Sequence, residues 1–189
     1  MLEDERSLVA AAKQGDRHAF EMLAERCAPR VYALVYRMVR GRREEAEDLT
    51  QETLLRAYAS LASFREDSAF STWLHRIAVN LTLNRLDRKN LVAASLEDDP
   101  REVADKDASA QPLAALQTSE LRQVLEAAIL RLSDSLRVVF VLRELEGLSH
   151  DEIARMLDSN SQAIRVRHHR AKKVLMELLA PYVLEGQPR

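Results

Sequence analysis

Glycine, proline, cysteine and aromatic residues are all scarce in this chain, and each scarcity excludes something. Four Gly and five Pro among 189 residues, with Leu, Ala, Glu and Arg dominant, are the composition of a soluble helical protein with few strand signals. One β-like run, Val138-Val139-Phe140-Val141-Leu142, lies inside a longer pattern from Ser133 to Glu146 that reads as a buried helix. The single Cys27 excludes an internal disulfide and a thiolate metal site, and its expected role is a small apolar group beneath the first helices. No apolar run is long enough to cross a bilayer, and the start Met1-Leu2-Glu3-Asp4-Glu5 is acidic where a targeting peptide would be basic. A reducing cytoplasm is the expected location. There is no Gly-rich phosphate loop and no paired catalytic carboxylates in a supporting context, so neither an enzyme nor a cofactor is expected. Nor is a metal: the five His are dispersed, and His168 and His169 point about 100 degrees apart on a helix and cannot share an ion.

What is present is separated charge. The formal net charge of −2 is an average over acidic clusters at the N-terminus, at Glu44-Glu45-Ala46-Glu47-Asp48 and between Glu97 and Asp107, and basic ones from Arg76 to Lys89 and in the last helix. Local charge decides what a surface attracts. An acidic surplus elsewhere weakens the hold of the isolated chain's basic segments on any polyanion, and implies a larger partner. Residues 91–117 hold Ala, Ser, Asp, Gln, Pro100 and Pro112 without a large apolar stripe, and read as an extended linker, either a flexible tether or a segment that runs along a partner. The expected fold is all-α: two small helical domains, 1–90 and 118–189, joined by a flexible linker.

The stretch Leu148 to Leu179 reads as a helix-turn-helix. Ser149 and Glu152 have capping-box spacing, Ile153, Met156 and Leu157 form a buried stripe, and Ala154 permits a close second helix. Asp158 to Asn160 form the turn, where Asp and Asn tolerate the left-handed conformation, and Ser161 is the expected N-cap of the next helix. That helix runs from Ser161 to Lys173 with no Asp or Glu. Ile164, Arg167, Ala171, Val174, Leu175 and Leu178 mark its packed face, with the Arg167 head reaching solvent or phosphate. Gln162, Arg165, Val166, His169 and Lys172 mark the opposite face. Gln and Arg bond base edges and Val meets a thymine methyl, so that face carries major-groove chemistry.

In the first lobe, amphipathic stretches 19–24 and 31–39 separate near Pro29 and supply much of the core. A helix from Arg43 to Leu61 buries Ala46, Leu49, Thr53, Ala57 and Leu61. Its other face shows Glu45, Asp48, Gln51, Glu52 and Leu55, either a solvated face or a docking face for a basic partner helix. The span Phe64 to Asn80 then holds the only Trp and two of the four Phe beside Arg65, Arg76 and Asn80, with Arg85, Arg88 and Lys89 following. Rings among cations suit unpaired bases, although Phe70, Trp73, Leu74 and Ile77 have helical core spacing.

Glu45-Ala46-Glu47-Asp48-Leu49-Thr50-Gln51-Glu52-Thr53, then Phe64-Arg65 with Phe70 through Asn80, then Leu142-Arg143-Glu144-Leu145-Glu146-Gly147-Leu148-Ser149 together resemble a bacterial RNA polymerase sigma factor of the extracytoplasmic function group. The resemblance implies a factor that binds core RNA polymerase, at its β′ clamp and β flap, and directs it to promoter DNA. It implies polymerase docking by Asp48, Gln51, Glu52 and Leu55. It places Phe64, Arg65, Ser68, Ala69, Trp73, Arg76 and Asn80 at the minus-ten element. Gln162, Arg165, Val166 and His169 fall near bases of the minus-thirty-five element, with Arg137, Ser161, Arg167, Arg170 and Lys172 near its phosphates and backbone. The linker would thread the polymerase cleft toward the RNA exit path. Control by an anti-sigma factor, often membrane-anchored, is implied as well. Asp158 and Ser159 stand where the family usually has Gly and an apolar residue, and His168 where Leu is common. Two other readings fit parts of the chain: a stand-alone helix-turn-helix regulator whose first lobe binds a ligand or dimerises, and an adaptor whose basic helix binds an acidic partner.

Overall fold

The computed structural model describes residues 5–86 and 118–184, and within them every regular element is helical. The chain divides into two units, Met1–Leu86 and Asp87–Arg189. The expected linker 91–117, with its acidic cluster, and Arg88 and Lys89 lie outside the described residues.

The first unit holds α1 (Glu5–Lys13), α2 (Arg17–Met38), α3 (Arg43–Ser60), a 3-10 turn (Leu61–Ser63) and α4 (Phe70–Arg85). Gly15, at φ 96°, separates α1 from α2, and the Asp16 carboxylate accepts from the Ala19 N–H at 3.2 Å to cap α2. α2 packs on α1, α3 and α4. Leu8, Val9, Leu23, Val31, Leu34, Met38, Leu49, Phe70, Leu74 and Leu83 close the core. Thr50, Thr53 and Thr82 are buried within it because each hydroxyl donates to the carbonyl four residues back, at 2.6, 2.6 and 2.8 Å.

Pro29 does not split this region as expected: α2 runs through it for 22 residues. The ring lies on the exposed side, while Cys27, Val31, Leu34 and Val35 continue one buried stripe. That burial outweighs the local cost of an internal proline. Cys27 is buried as expected. Burial first, then the Glu5 charge, push its thiol above the ordinary range against Arg30 and Arg26, so it stays protonated.

The second unit holds α5 (Thr118–Leu130), α6 (Asp134–Phe140), a wide π turn (Val141–Leu145), α7 (His150–Met156) and α8 (Ser161–Leu184). α8 packs on α5, α6 and α7. The β-like run is helical, and Val138, Val139, Val141 and Leu142 are completely enclosed. Burial on all sides explains why it shows no amphipathic period. The expected single helix from Ser133 to Glu146 instead widens after Phe140 and ends with Gly147 at φ 71°.

Candidate nucleic-acid and partner interfaces

The buried face of α3 is the expected one: Ala46, Leu49, Thr53 and Ala57 are at most 1% exposed, with Leu61 in the turn that follows. Asp48, Gln51 and Leu55 point outward along the opposite face. Leu55 is 70% exposed, the most exposed large apolar side chain described. Glu52 is half-buried and engaged by Arg56 one turn on, at 2.7 Å. The same stripe continues to Tyr58, which sequence reasoning missed. The residue is 47% exposed and its ring meets Phe20 edge-on at 4.9 Å, so it is braced from one side while remaining open to solvent. Its position three residues beyond Leu55 was the available signal.

Between α3 and α4, the loop 64–69 is held from α1. Lys13 Nζ pairs with Glu66 at 2.6 Å and lies over the Phe64 ring at 5.6 Å. Glu66 sits in the left-handed region at φ 61°, and the Lys13 contact ties down that unusual conformation. A Glu5 carboxylate oxygen accepts from the Phe70 N–H at 3.0 Å and so caps α4, whose own preceding residue, Ala69, has no capping side chain. A cleft of about 390 Å³ opens here, lined by Glu5, Arg6, Val9 and residues 64 and 66–70.

Phe64 is enclosed beneath the loop. It is only 4% exposed and stacks on Trp73, with ring centroids 5.0 Å apart, because Phe70 and Trp73 together form an aromatic wall into which it fits. Phe64 therefore supports the loop from beneath. Arg65 and Ala69 are exposed and Ser68 half-buried. Trp73 is half-buried, and Arg76 and Asn80 follow it on one side of α4, both exposed.

In the second unit the capping box forms. Ser149 Oγ accepts from the Glu152 N–H at 3.2 Å, and Glu152 Oε2 accepts from the Ser149 N–H at 2.8 Å. Asp158 takes the left-handed conformation, φ 49°. The cap of α8 is one residue earlier than expected. Asn160 Oδ1 accepts from the Ala163 N–H at 2.8 Å, and the Asn160 carbonyl accepts from Ile164 at 3.2 Å. Ser161 is instead the first helical residue, its hydroxyl oxygen buried. Gln162, Arg165, Val166, His169, Arg170 and Lys172 are exposed, while Ile164, Ala171 and Leu175 are buried.

Two arginines expected at phosphates are enclosed. Arg137 is 0% exposed: its guanidinium donates to the Leu132 carbonyl at 2.6 Å and pairs with Asp134, tying the turn before α6 to the helix. Arg167 lies on the packed face as expected, but its head is buried too, leaving the side chain 4% exposed. In both cases the long side chain fills space between helices, which spacing alone does not reveal. A further cluster was missed. His150 Nε2 lies 3.2 Å from His168 Nδ1, and His168 Nε2 lies 2.7 Å from Glu144 Oε1.

Residues 23–91 match the family model Sigma-70 region 2, and residues 122–175 match Sigma-70, region 4. The RNA polymerase sigma-H factor of Pseudomonas aeruginosa is 33% identical over 195 residues, covering 97% of this chain and 98% of that protein. The ECF RNA polymerase sigma-E factor of Escherichia coli is 35% identical over 182 residues, covering 93% and 94%. Among solved structures, CnrH in complex with the cytosolic domain of CnrY is 25% identical, with a TM-score of 0.54, covering 93% of this chain and 97% of that one. The sigma factor RpoE in complex with the anti-sigma factor NepR from Bartonella quintana shares the fold at 24% identity and a TM-score of 0.56, covering 85% and 96%. Two family matches in order along the chain, with relatives aligned over nearly its whole length, establish that the chain belongs to the sigma-70 family of RNA polymerase sigma factors, in the extracytoplasmic function group.

Proposed function

We propose that this chain binds core RNA polymerase and directs it to promoters, the α3 face docking on the polymerase, loop 64–69 with the Trp73–Asn80 side of α4 engaging the opened minus-ten element, and α8 reading the minus-thirty-five element in the major groove. The observation that carries this reading is the exposed stripe of Asp48, Gln51, Leu55 and Tyr58 on α3. A carboxylate, an amide, a branched aliphatic and a braced ring in one line make a desolvatable centre with a polar rim, the anatomy of a protein interface. Duplex reading is supported by the exposed Gln162, Arg165, Val166 and His169. Arg170 and Lys172 supply phosphate contacts from the same helix.

Strand opening needs no catalytic group. Unstacking costs a few kcal/mol per step, and capture of a flipped base in the 390 Å³ cleft, together with contacts from Arg65 and Arg76, offsets it. Regulation by a bound protein partner of the anti-sigma kind is supported by the likeness to CnrH, which was solved in complex with the cytosolic domain of CnrY. No described helix is long and apolar enough to cross a membrane, and the polymerase partner sets the place of action in the cytoplasm. The test is run-off transcription from a promoter library with purified core polymerase, with and without this chain. Initiation that depends on the chain and shares a two-element motif is the expected result. No initiation from an active core enzyme with folded protein would put the stand-alone regulator first.

A further inference from the structure

His150, His168 and Glu144 come from three different elements: the first position of α7, the interior of α8 and the π turn. The His168 ring is engaged at both nitrogens, Nε2 with the Glu144 carboxylate at 2.7 Å and Nδ1 with His150 Nε2 at 3.2 Å. A carboxylate only accepts, so His168 Nε2 carries a hydrogen. With His168 neutral, Nδ1 must accept and His150 must donate through Nε2. The chemistry therefore runs one way, from His150 through His168 to Glu144. The His168 side chain is 13% exposed and Glu144 41%, so the inner half of this chain is shielded from water.

We propose that Glu144, His168 and His150 form a positioning chain that fixes the orientation of the recognition helix α8 against α7, and that a second proton on the histidine pair releases it. The inference rests on the promoter-reading proposal for its effect on DNA, but not for the chain itself. A first proton does not break the link. With one added proton the pair still has a donor on one ring and an acceptor on the other, so the hydrogen bond between them persists. A second proton leaves two donors facing each other, and the hydrogen bond is lost between rings whose centroids are 5.2 Å apart.

The surroundings resist that second proton. Burial of His150 is the largest effect, followed by Arg143 from the π turn and by His168 and Arg165 from α8, against Asp151 on its own helix; together they push His150 below its ordinary value. The sign follows. A group whose folded value is depressed contributes stability that is present above its unfolded value, about pH 6.5, and is lost as the pH falls through the lower folded value. The link thus holds at neutral pH and releases on the acid side.

Histidine-ring nitrogen spectra and amide hydrogen exchange of the full chain test this. At about pH 7.5 the expected pattern is His168 protonated at Nε2, with E144A shifting both His168 and His150, and H168L speeding exchange in the first turns of α8. Independent ring signals, or unchanged exchange in H168L, overturn the chain. In the polymerase complex, H168L should weaken binding to duplex carrying the minus-thirty-five element by about three- to tenfold, leave a forked template without that element unaffected, and flatten the acid loss seen with the wild type. H168Q, which both donates and accepts, should restore part of the affinity. Equal affinities and equal pH profiles for wild type and H168L overturn the positioning role. If the wild-type complex ignores the minus-thirty-five sequence, it is the promoter reading that fails, and the ring spectra and exchange still decide the chain.

Discussion

Arg137 and Arg165 show how one residue type takes opposite roles, and they separate in a paired experiment. Arg137 is enclosed between Leu132 and Asp134, whereas Arg165 is exposed on the outer face of α8. Arg137→Ala removes a large buried side chain and the donor to a buried carbonyl, so thermal or urea unfolding should show a loss of about 2–5 kcal/mol. The salt dependence of DNA binding should not change. Arg165→Ala should leave stability within about 0.5 kcal/mol. In competition binding by the polymerase complex it should cost about 1–3 kcal/mol at one base position. Equal weakening on every sequence would instead make Arg165 a phosphate contact. Phe64 belongs with Arg137: Phe64→Ala should cost about 3–5 kcal/mol of stability, because it removes the ring that Trp73 and Phe70 pack against. A stable Phe64→Ala protein with defective strand opening would return Phe64 to the base-contacting set.

At the scale of elements, what was legible depended on whether the signal was local. The capping box of α7 and the left-handed Asp158 are each set by residues within three or four positions, and both were readable. Pro29 misled because the penalty is local while the compensating stripe of Cys27, Val31 and Leu34 is buried by other helices. The π turn after Phe140 and the His150–His168–Glu144 cluster were invisible for the same reason, since both arise from packing between elements. The helix cap of α8 was misread by one residue, as Asn160 and Ser161 both have capping side chains. Their roles separate by mutation: Asn160→Ala removes the acceptor for Ala163 and should lower stability by about 1 kcal/mol. Ser161→Ala removes no cap bond and should fall well below that in the same denaturation assay. A reversed order would restore Ser161 as the cap.

Across the whole molecule, the net charge of −2 and the separated basic surfaces argue for division of labour with the polymerase. The α8 face is cationic, but α3 carries Glu44 and Glu45 in its first turn and the chain as a whole repels phosphate weakly, so on the proposed reading tight promoter binding is expected of the complex with polymerase. On the proposed reading, docking falls to the exposed face of α3. Leu55 already stands in water, so Leu55→Ala leaves the fold within about 0.5 kcal/mol by thermal melting. Burial of that side chain against a partner is worth about 1.5–3 kcal/mol, roughly ten- to a hundredfold in Kd for core polymerase. Asp48→Ala with Gln51→Ala should deepen the loss and abolish run-off transcription while the purified protein still melts as a folded chain. The stand-alone regulator and the adaptor predict the opposite pattern, with DNA or partner binding untouched by changes on α3. Retained core-polymerase affinity in the triple variant, measured by equilibrium competition, would therefore remove the docking role of this face and leave the exposure of Leu55 without a function.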